Sequence, residues 1–233
     1  MFKRNVAVAL RTLQYAVLIA YAVITFIPFL WALSASFKTL AEISTGLPNF
    51  IPKQFTLDNY RQIFLNEPLF LRWLGNSTFV SVLIMGLNLL FNSMAGYALA
   101  RIPFPGNKAL FYIVLAVLMI PGQLTLIPSY LILNEFGWLN SYQGLIVPGA
   151  ANATFIFMMR QFFLSFPKEL EEAAAIDGLT RLGTFLRIAL PLAGPPLAAQ
   201  AIFIFMGAWN DFLKPLVIMS EKEMFTLPLG LNT

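Results

Sequence analysis

The chain has 233 residues, of which 58% are hydrophobic and only 11% are charged, and its formal net charge is +4. Because a soluble domain carries about 25% charged residues, this composition excludes an ordinary water-soluble core. The absence of cysteine and histidine excludes disulfides, Cys–His catalysis and the usual zinc sites.

Five long stretches without charged residues indicate the class of protein. Each exceeds the roughly 20 residues that an α-helix needs to cross the hydrocarbon core of a membrane. They predict an all-α polytopic membrane protein, with one transmembrane domain over residues 1–233. The pI of about 9.4 would suit nucleic-acid binding, but the basic residues lie between the spans, where membrane topology explains them. The predicted spans cover about residues 13–35, 76–100, 109–133, 142–163 and 197–218.

The first span sets the orientation of the chain. Lys3, Arg4 and Arg11 precede it, and the positive-inside rule then places the N-terminus in the cytoplasm. The apolar run is too long for a cleaved signal peptide and lacks an obvious cleavage site. Residues 38–72 follow as an external loop, in which residues 56–64 predict a short amphipathic helix. This helix either lies on the bilayer or contacts an external partner, and the sequence leaves both open.

The second span carries a stripe of small and polar side chains. Ser81, Met85, Asn88, Asn92 and Gly96 fall near one helical face. Because asparagine facing lipid would be costly, we expect this stripe to face the bundle interior or a water-filled path. Small and polar residues commonly join membrane helices, which favours packing over a substrate lining.

The later spans also contain polar interruptions. In the third span, residues 121–123 predict a bend, which is either a feature of a substrate path or a packing kink. The fourth span has an amide in its outer half, and the fifth ends in a polar pair that is either functional or a cap at the outer surface. The candidate substrate-path residues are Asn88, Asn92, Gln123, Asn152, Asn210 and Asp211.

The loop over residues 167–196 is the longest polar interruption in the second half of the chain. Pro167 suits the first turn of a helix, and Gly178 is placed to end that helix in the left-handed conformation. Thr180 can then cap a second helical segment. Such a segment is either a solvated cytoplasmic loop or a small knob on which another protein docks. Its first helix combines carboxylates with alanines, at Glu169, Glu171, Glu172, Ala173, Ala174 and Ala175.

The same loop resembles the EAA motif of ABC importer permeases, which favours the docking interpretation. The fixed positions of that motif correspond here to Glu172, Ala173, Ala174, Gly178, Ile188, Leu190 and Pro191. Other stretches resemble the carbohydrate-uptake permeases, the family that includes maltose permeases, so that the resemblance covers nearly the whole chain. These stretches are residues 36–38, 58–60, 76–77, 98–101, 119–121, 160–163 and 209–212.

The resemblance implies a MetI-like type I ABC importer permease in a bacterial cytoplasmic (inner) membrane. Such a permease pairs with a second homologous permease subunit, with an ABC ATPase dimer and with a solute-binding protein. Its core has six helices, so we expect the sixth to be missing from this sequence. Residues 168–178 would form a coupling helix that docks on the ATPase. The implied contact residues are Glu169, Glu171, Glu172, Ala173, Ala174, Asp177 and Gly178.

The sequence predicts a non-catalytic subunit without a cofactor or metal of its own. It contains no G-x-x-x-x-G-K-[ST] phosphate loop, so ATP and Mg would be bound by the partner ATPase.

Several functions remain in competition. The leading hypothesis is half of the translocation path of a sugar or oligosaccharide importer. An importer of amino acids, phosphate or peptides would keep the same EAA loop. A stand-alone channel or carrier would show internal repeats with buried charges in its spans. A membrane enzyme would need a catalytic cluster. The sequence shows neither such repeats with buried charges nor a catalytic cluster.

Overall fold

The computed structural model describes residues 2–44 and 49–233, with side chains from Leu10 onward. The side chains of Lys3 and Arg4, which contribute to the predicted orientation, therefore lie outside the described residues. Within these ranges the structure is helical and contains no strand. The α-helices are α1 (Phe2–Ser36), α2 (Leu40–Ser44), α3 (Asp58–Asn66), α4 (Phe70–Arg101), α5 (Asn107–Leu118), α6 (Leu126–Glu135), α7 (Tyr142–Ile146), α8 (Ala153–Leu164), α9 (Lys168–Ile176), α10 (Arg181–Thr184), α11 (Leu190–Leu192), α12 (Gly194–Trp209), α13 (Leu213–Ile218) and α14 (Leu227–Gly230).

The first compact unit, Met1–Pro68, is organised by the C-terminal end of α1. The Nδ2 group of Asn59 donates to the carbonyl oxygens of Ser36 and Lys38 at 2.9 and 2.8 Å. Phe37 stacks on Phe55 with ring centroids 5.0 Å apart. These contacts hold the segment that follows α1 to the end of that helix. The helix predicted over residues 56–64 is present as α3, shifted slightly toward the C-terminus.

The second compact unit, Leu69–Thr233, is built around α4, which packs against α8 and α12. The crossing of α4 and α8 is close because Gly96 has no side chain: a Cβ at this position would lie 2.6 Å from the Cβ of Met159. One buried apolar cluster surrounds Trp73 near the start of α4, and another surrounds Tyr97 near its end. A layer of buried polar residues lies between the two clusters.

Two helices are long and apolar enough to cross a membrane, namely Leu10–Ser36 within α1 and Phe70–Arg101. Two bent helix pairs meet the same criteria when each is taken together. The first pair, α5 and α6, occupies the predicted span 109–133 and bends by 97°. Pro121 has no N–H to continue a helical ladder and disfavours helical geometry in the residue before it. The bend predicted at residues 121–123 is therefore confirmed.

The predicted fourth and fifth spans are not continuous helices. Within residues 142–163, α7 and a 3₁₀ turn at Val147–Gly149 end before α8 begins. Asn152 caps α8, because its Oδ1 accepts a hydrogen bond from the backbone N–H of Thr154 at 2.9 Å, a local bond that competes with helix continuation. Within residues 197–218, α12 ends at Trp209 and α13 starts at Leu213.

The polar loop over residues 167–196 contains the predicted helix, turn and second helical segment. The second segment runs from α10 through a π-helical turn at Phe185–Ala189 into α11, and it meets α12 at a bend of 78°. Pro191 lies in this segment and offers no N–H to the carbonyl of Arg187. The π turn is closed by an i→i+5 hydrogen bond from the N–H of Leu190 to the carbonyl of Phe185, and such turns occur mostly as single turns inside α-helices.

Candidate functional site

The helix α9 begins and ends where its local chemistry predicts. Pro167 precedes the first helical residue with a φ of −59°. Glu169 and Glu171 lie in the first turn, near the positive end of the helix dipole. Gly178 has a φ of 80°, in the left-handed region that glycine adopts without strain. Thr180 then caps the next helix, because its Oγ1 accepts from the N–H of Gly183 at 3.2 Å.

One side of α9 packs against the rest of the second unit. Ala174 is only 1% exposed, and its carbonyl accepts from the N–H of Leu179 at 2.9 Å. The Oε1 atom of Glu171 lies 3.4 Å from the Nε atom of Arg101. Arg101 also donates from Nη2 to the carbonyl of Phe166. Because Arg101 is the last residue of α4, this ion pair joins α9 directly to the central helix.

The opposite side of α9 is exposed. Its residues recur at positions i, i+3, i+4 and i+7, which lie on one helical face. The predicted coupling residues divide accordingly: Glu171 and Ala174 anchor the helix, whereas the others are exposed. Ile176 lies on the same face and is 87% exposed, although sequence reasoning did not select it. The exposed residues of this face are Glu169, Glu172, Ala173 and Ile176, and Asp177 and Gly178, which follow the helix, are also exposed.

A second candidate region is the buried polar layer in the middle of α4. Asn92 donates from Nδ2 to the Oδ1 of Asn88 at 3.0 Å and accepts from the N–H of Asn152 at 3.0 Å. Asn88 donates to the carbonyl of Gly149 at 2.5 Å. Gln200 on α12 donates to the carbonyl of Asn88 at 3.0 Å. These bonds connect α4 to α12 and to the start of α8.

The predicted inward orientation of the α4 stripe is confirmed. Ser81, Asn88 and Asn92 are at most 1% exposed, Gly96 is buried, and Met85 is half-buried. The hydrogen bonds of Asn88 and Asn92 to neighbouring segments are of the packing kind that the sequence favoured.

A cavity of about 310 Å³ lies beside this layer. It is lined by three of the candidate path residues, Asn88, Asn152 and Asp211, together with Lys214 and Thr226. The Nζ of Lys214 lies 3.7 Å from Oδ2 of Asp211. Thr226 is 3% exposed, and its Oγ1 has no hydrogen-bond partner in the described parts of the chain. Such a combination of amide, charged and hydroxyl groups within apolar walls suits a neutral polar ligand.

The other candidate path residues do not line this cavity. Asn92 is buried, and its side chain donates one hydrogen bond and accepts another within the polar layer. Gln123 is exposed in the 3₁₀ turn Gly122–Thr125. Asn210 is exposed at the end of α12, where its Nδ2 donates to the carbonyl of Met206 at 2.8 Å. This contact is the local capping that the sequence left open as an alternative.

Sequence reasoning missed two buried polar residues of this region. Gln200 is fully buried, and it is the one amide or charged side chain within α12. That isolation in an apolar helix was a signal available in the sequence. Thr226 reaches the cavity because the chain after α13 folds back along α4, where the N–H of Leu227 donates to Oγ of Ser77 at 2.7 Å. No local pattern predicts this return.

The fold and the site together define an all-helical, multi-pass membrane protein with a polar cavity between its helices and an anchored helix exposed at one end. In the described ranges, no group of three or more Asp or Glu side chains is placed to hold a metal ion. The chain belongs to a known family of transport proteins: the sequence model for the inner membrane component of binding-protein-dependent transport systems matches residues 92–232. The predicted MetI-like permease fold and its place in a bacterial inner membrane are thereby confirmed.

Relatives and solved structures agree with this assignment. The arabinooligosaccharides transport system permease protein AraQ of Halalkalibacterium halodurans is 42% identical, over 95% of this chain and 81% of that protein. The diacetylchitobiose uptake system permease protein NgcG of Streptomyces coelicolor is 36% identical, over 94% of this chain and 72% of that protein. The crystal structure of a bacterial ABC transporter involved in the import of the acidic polysaccharide alginate matches with a TM-score of 0.82 and 25% identity, over 95% of this chain and 77% of that chain.

Proposed function

We infer that this chain is a permease subunit of an ATP-driven importer of a sugar or oligosaccharide and that α9 is its coupling helix. The observation that carries the inference is the two-sided character of α9. One side is fixed by Ala174 and by the Arg101–Glu171 ion pair, while the other side presents exposed residues to a partner. When a partner displaces a helix that is held in this way, the helix moves the rest of the permease with it and does not detach from it.

The partner on the exposed face is an ABC ATPase dimer, which binds ATP and Mg. Glu169, Glu172, Ala173, Asp177 and Gly178 contact its groove in this proposal, and the small Ala173 permits close approach. Closure of the ATPase dimer on ATP would displace α9. The Arg101–Glu171 ion pair would pass that displacement to α4, the helix around which the second unit is packed.

Orientation and the remaining partners follow from the same proposal. The N-terminus and α9 lie on the cytoplasmic side, a second homologous permease subunit completes the translocation path, and a solute-binding protein delivers the solute from the outside. The cavity beside the polar layer supplies path contacts from Asn88, Asn152 and Asp211. Because Gln123 and Asn210 are exposed, they would reach the solute only along the interface with the second permease subunit.

Carbohydrate is the favoured solute for two reasons. The cavity combines amide, hydroxyl and paired charged groups, which hydrogen-bond to hydroxyl-rich solutes without a net charge to select for an ion. The similar proteins AraQ and NgcG are named for arabinooligosaccharides and diacetylchitobiose.

Affinity co-purification tests the coupling assignment. The full chain, tagged at its N-terminus, should recover an ATPase and a second permease. Ala173→Arg should abolish ATPase recovery, because a long cation replaces a methyl group on the contact face. Ala41→Arg is the matched control, since Ala41 is also exposed but lies in α2, away from α9 in the sequence. Recovery of the wild-type chain alone would overturn the proposed function, and equal loss in both variants would overturn the assigned face.

The solute class is tested in proteoliposomes that contain the recovered complex and its binding protein. Oligosaccharides should stimulate ATP hydrolysis, whereas amino acids, peptides and phosphate should not. Stimulation by one of the latter groups would replace the sugar assignment and leave the coupling assignment intact.

A further inference from the structure

A wide basic groove lies between the connection that follows α4 and the side of α9. It encloses about 1140 Å³ and is separate from the polar cavity. Its lining includes five basic residues and the two carboxylates of Glu171 and Glu172, so that five positive charges less two negative charges leave a net charge of +3. The basic residues are Arg101, Lys108, Arg160, Lys168 and Arg181.

Most of this positive charge is not neutralised within the chain. Arg101 is paired with Glu171 at 3.4 Å. The other four basic residues form no ion pair with a carboxylate of the described residues. Arg160 is held in place by the ring of Phe111, whose centroid lies 3.7 Å from its Cζ. The groove therefore contains several basic side chains that no carboxylate of the described residues neutralises.

The groove continues into an apolar surface. Lys108 and Ala109 line its edge and lie in the first turn of α5. Farther along the same helix, Tyr112 is 66% exposed and Ile113 is 57% exposed. The start of α5 therefore lines the basic groove, and these later residues form an exposed apolar surface. A soluble anion would contact only the basic groove, whereas an amphiphile with an anionic headgroup would contact both the groove and the apolar surface.

We propose that this groove binds the phosphate headgroup of an anionic phospholipid, with the acyl chains along the exposed face of α5. Basic pockets of membrane proteins on the cytoplasmic side bind such headgroups, and guanidinium groups pair with phosphate in a bidentate way. Arg160, Arg181 and Lys108 contact the phosphate, while Arg101 positions α9 beside the site. The leaflet follows from the proposed orientation, but the site does not depend on which solute is carried.

Native mass spectrometry of the detergent-purified full chain, with its co-purifying subunits, tests the proposal. The probes are dioleoylphosphatidylglycerol and dioleoylphosphatidylcholine, with inorganic phosphate as a competitor. The wild-type chain should retain phosphatidylglycerol in preference to phosphatidylcholine. The double variant Lys108→Gln, Arg181→Gln should bind phosphatidylglycerol roughly thirty-fold more weakly, given the contribution of each cation near a membrane surface.

The matched control is the double variant Arg187→Gln, Lys222→Gln, which removes the same charge from exposed residues outside the groove. It should retain phosphatidylglycerol as the wild type does. Equal weakening in both double variants, or equal wild-type affinity for the two lipids, would overturn the proposal. Complete displacement by millimolar inorganic phosphate would show an anion site without a lipid. If the Lys108→Gln, Arg181→Gln variant lost the ATPase but retained phosphatidylglycerol, the groove would be a protein interface and the proposal would be overturned. If it lost phosphatidylglycerol but retained the ATPase, the lipid site would be supported.

Discussion

The polar layer of α4 and the exposed face of α9 are both rich in polar residues, yet they are built in opposite ways. Asn88, Asn92 and Gln200 are at most 1% exposed, and each is hydrogen-bonded to another segment. Asn88 donates to Gly149, Gln200 donates to Asn88, and Asn92 accepts from the N–H of Asn152. Glu169 and Glu172 on α9 are exposed and form no ion pair with a described basic residue. The amides of the polar layer have hydrogen-bond partners within the chain, whereas the exposed carboxylates of α9 are available to another protein.

The difference teaches which substitutions should affect folding and which should affect function. Loss of one partner in a buried layer leaves the other partner unsatisfied, at a cost of about 1–3 kcal/mol. Surface substitutions away from such features usually change stability by less than about 0.5 kcal/mol. Changes in the layer should therefore lower the free energy of unfolding, whereas changes on the exposed face of α9 should alter partner recovery without altering stability.

The largest expected effect comes from Gly96→Val, which disrupts the crossing of α4 and α8. This crossing positions both the polar layer and α9. A Cβ at Gly96 would lie 2.6 Å from the Cβ of Met159 and 2.9 Å from the backbone nitrogen of Arg160, so α4 and α8 must separate. We expect a loss of about 3 kcal/mol, measured as a lower melting temperature and folded yield in detergent. Gly86→Val on the same helix is the control, because no atom lies within 4 Å of its added Cβ. Equal stability of the two variants would show that the close crossing is not required.

Asn92→Leu should have an intermediate effect and tests the buried side of the comparison. The substitution keeps the approximate volume but removes the donor to Asn88 and the acceptor for the N–H of Asn152. The free energy of unfolding should fall by about 2 kcal/mol, read from thermal unfolding of the purified chain. Thr78→Val removes an exposed hydroxyl from α4 that bonds only to its own helix, and it should leave the melting temperature unchanged. An unaltered melting temperature in Asn92→Leu would mean that water or rearranged amides replace the lost bonds.

The parts of the fold that the sequence predicted are those set by local chemistry. The start of α9 at Pro167, its end at Gly178, the bend after Pro121 and the inward stripe of α4 each depend on residues close together in the chain. The interruption before Asn152 was missed because a long apolar stretch predicts a span whether or not a side chain caps a helix within it. Hydropathy averages over the residues that break the helix.

The cavity could be predicted only in part, for a different reason. Asn88, Asn152 and Asp211 were selected as polar residues in apolar surroundings, but their convergence depends on the packing of α4, α8 and α12. Thr226 joins them through the return of the chain along α4, which is fixed by bonds such as that from Nδ2 of Asn76 to the carbonyl of Phe225 at 2.8 Å. Contacts between residues so distant in sequence leave no periodic signal.

Gly178→Val should have the smallest effect on stability and the sharpest effect on function. At a φ of 80°, a β-branched residue costs about 1 kcal/mol, and no atom lies within 4 Å to add a clash. The strain would be relieved by a rotation of the turn, which tilts α9 and displaces its exposed face. Recovery of the ATPase should therefore fall sharply while the melting temperature changes little. Gly178→Asn separates backbone strain from the added side chain. Asparagine also adds a side chain at this contact residue, but it tolerates the left-handed conformation, so it should lose less of the ATPase than valine does. If Val and Asn behaved alike and both kept the ATPase, the turn would not set the position of α9, and the exposed face would need another source of rigidity.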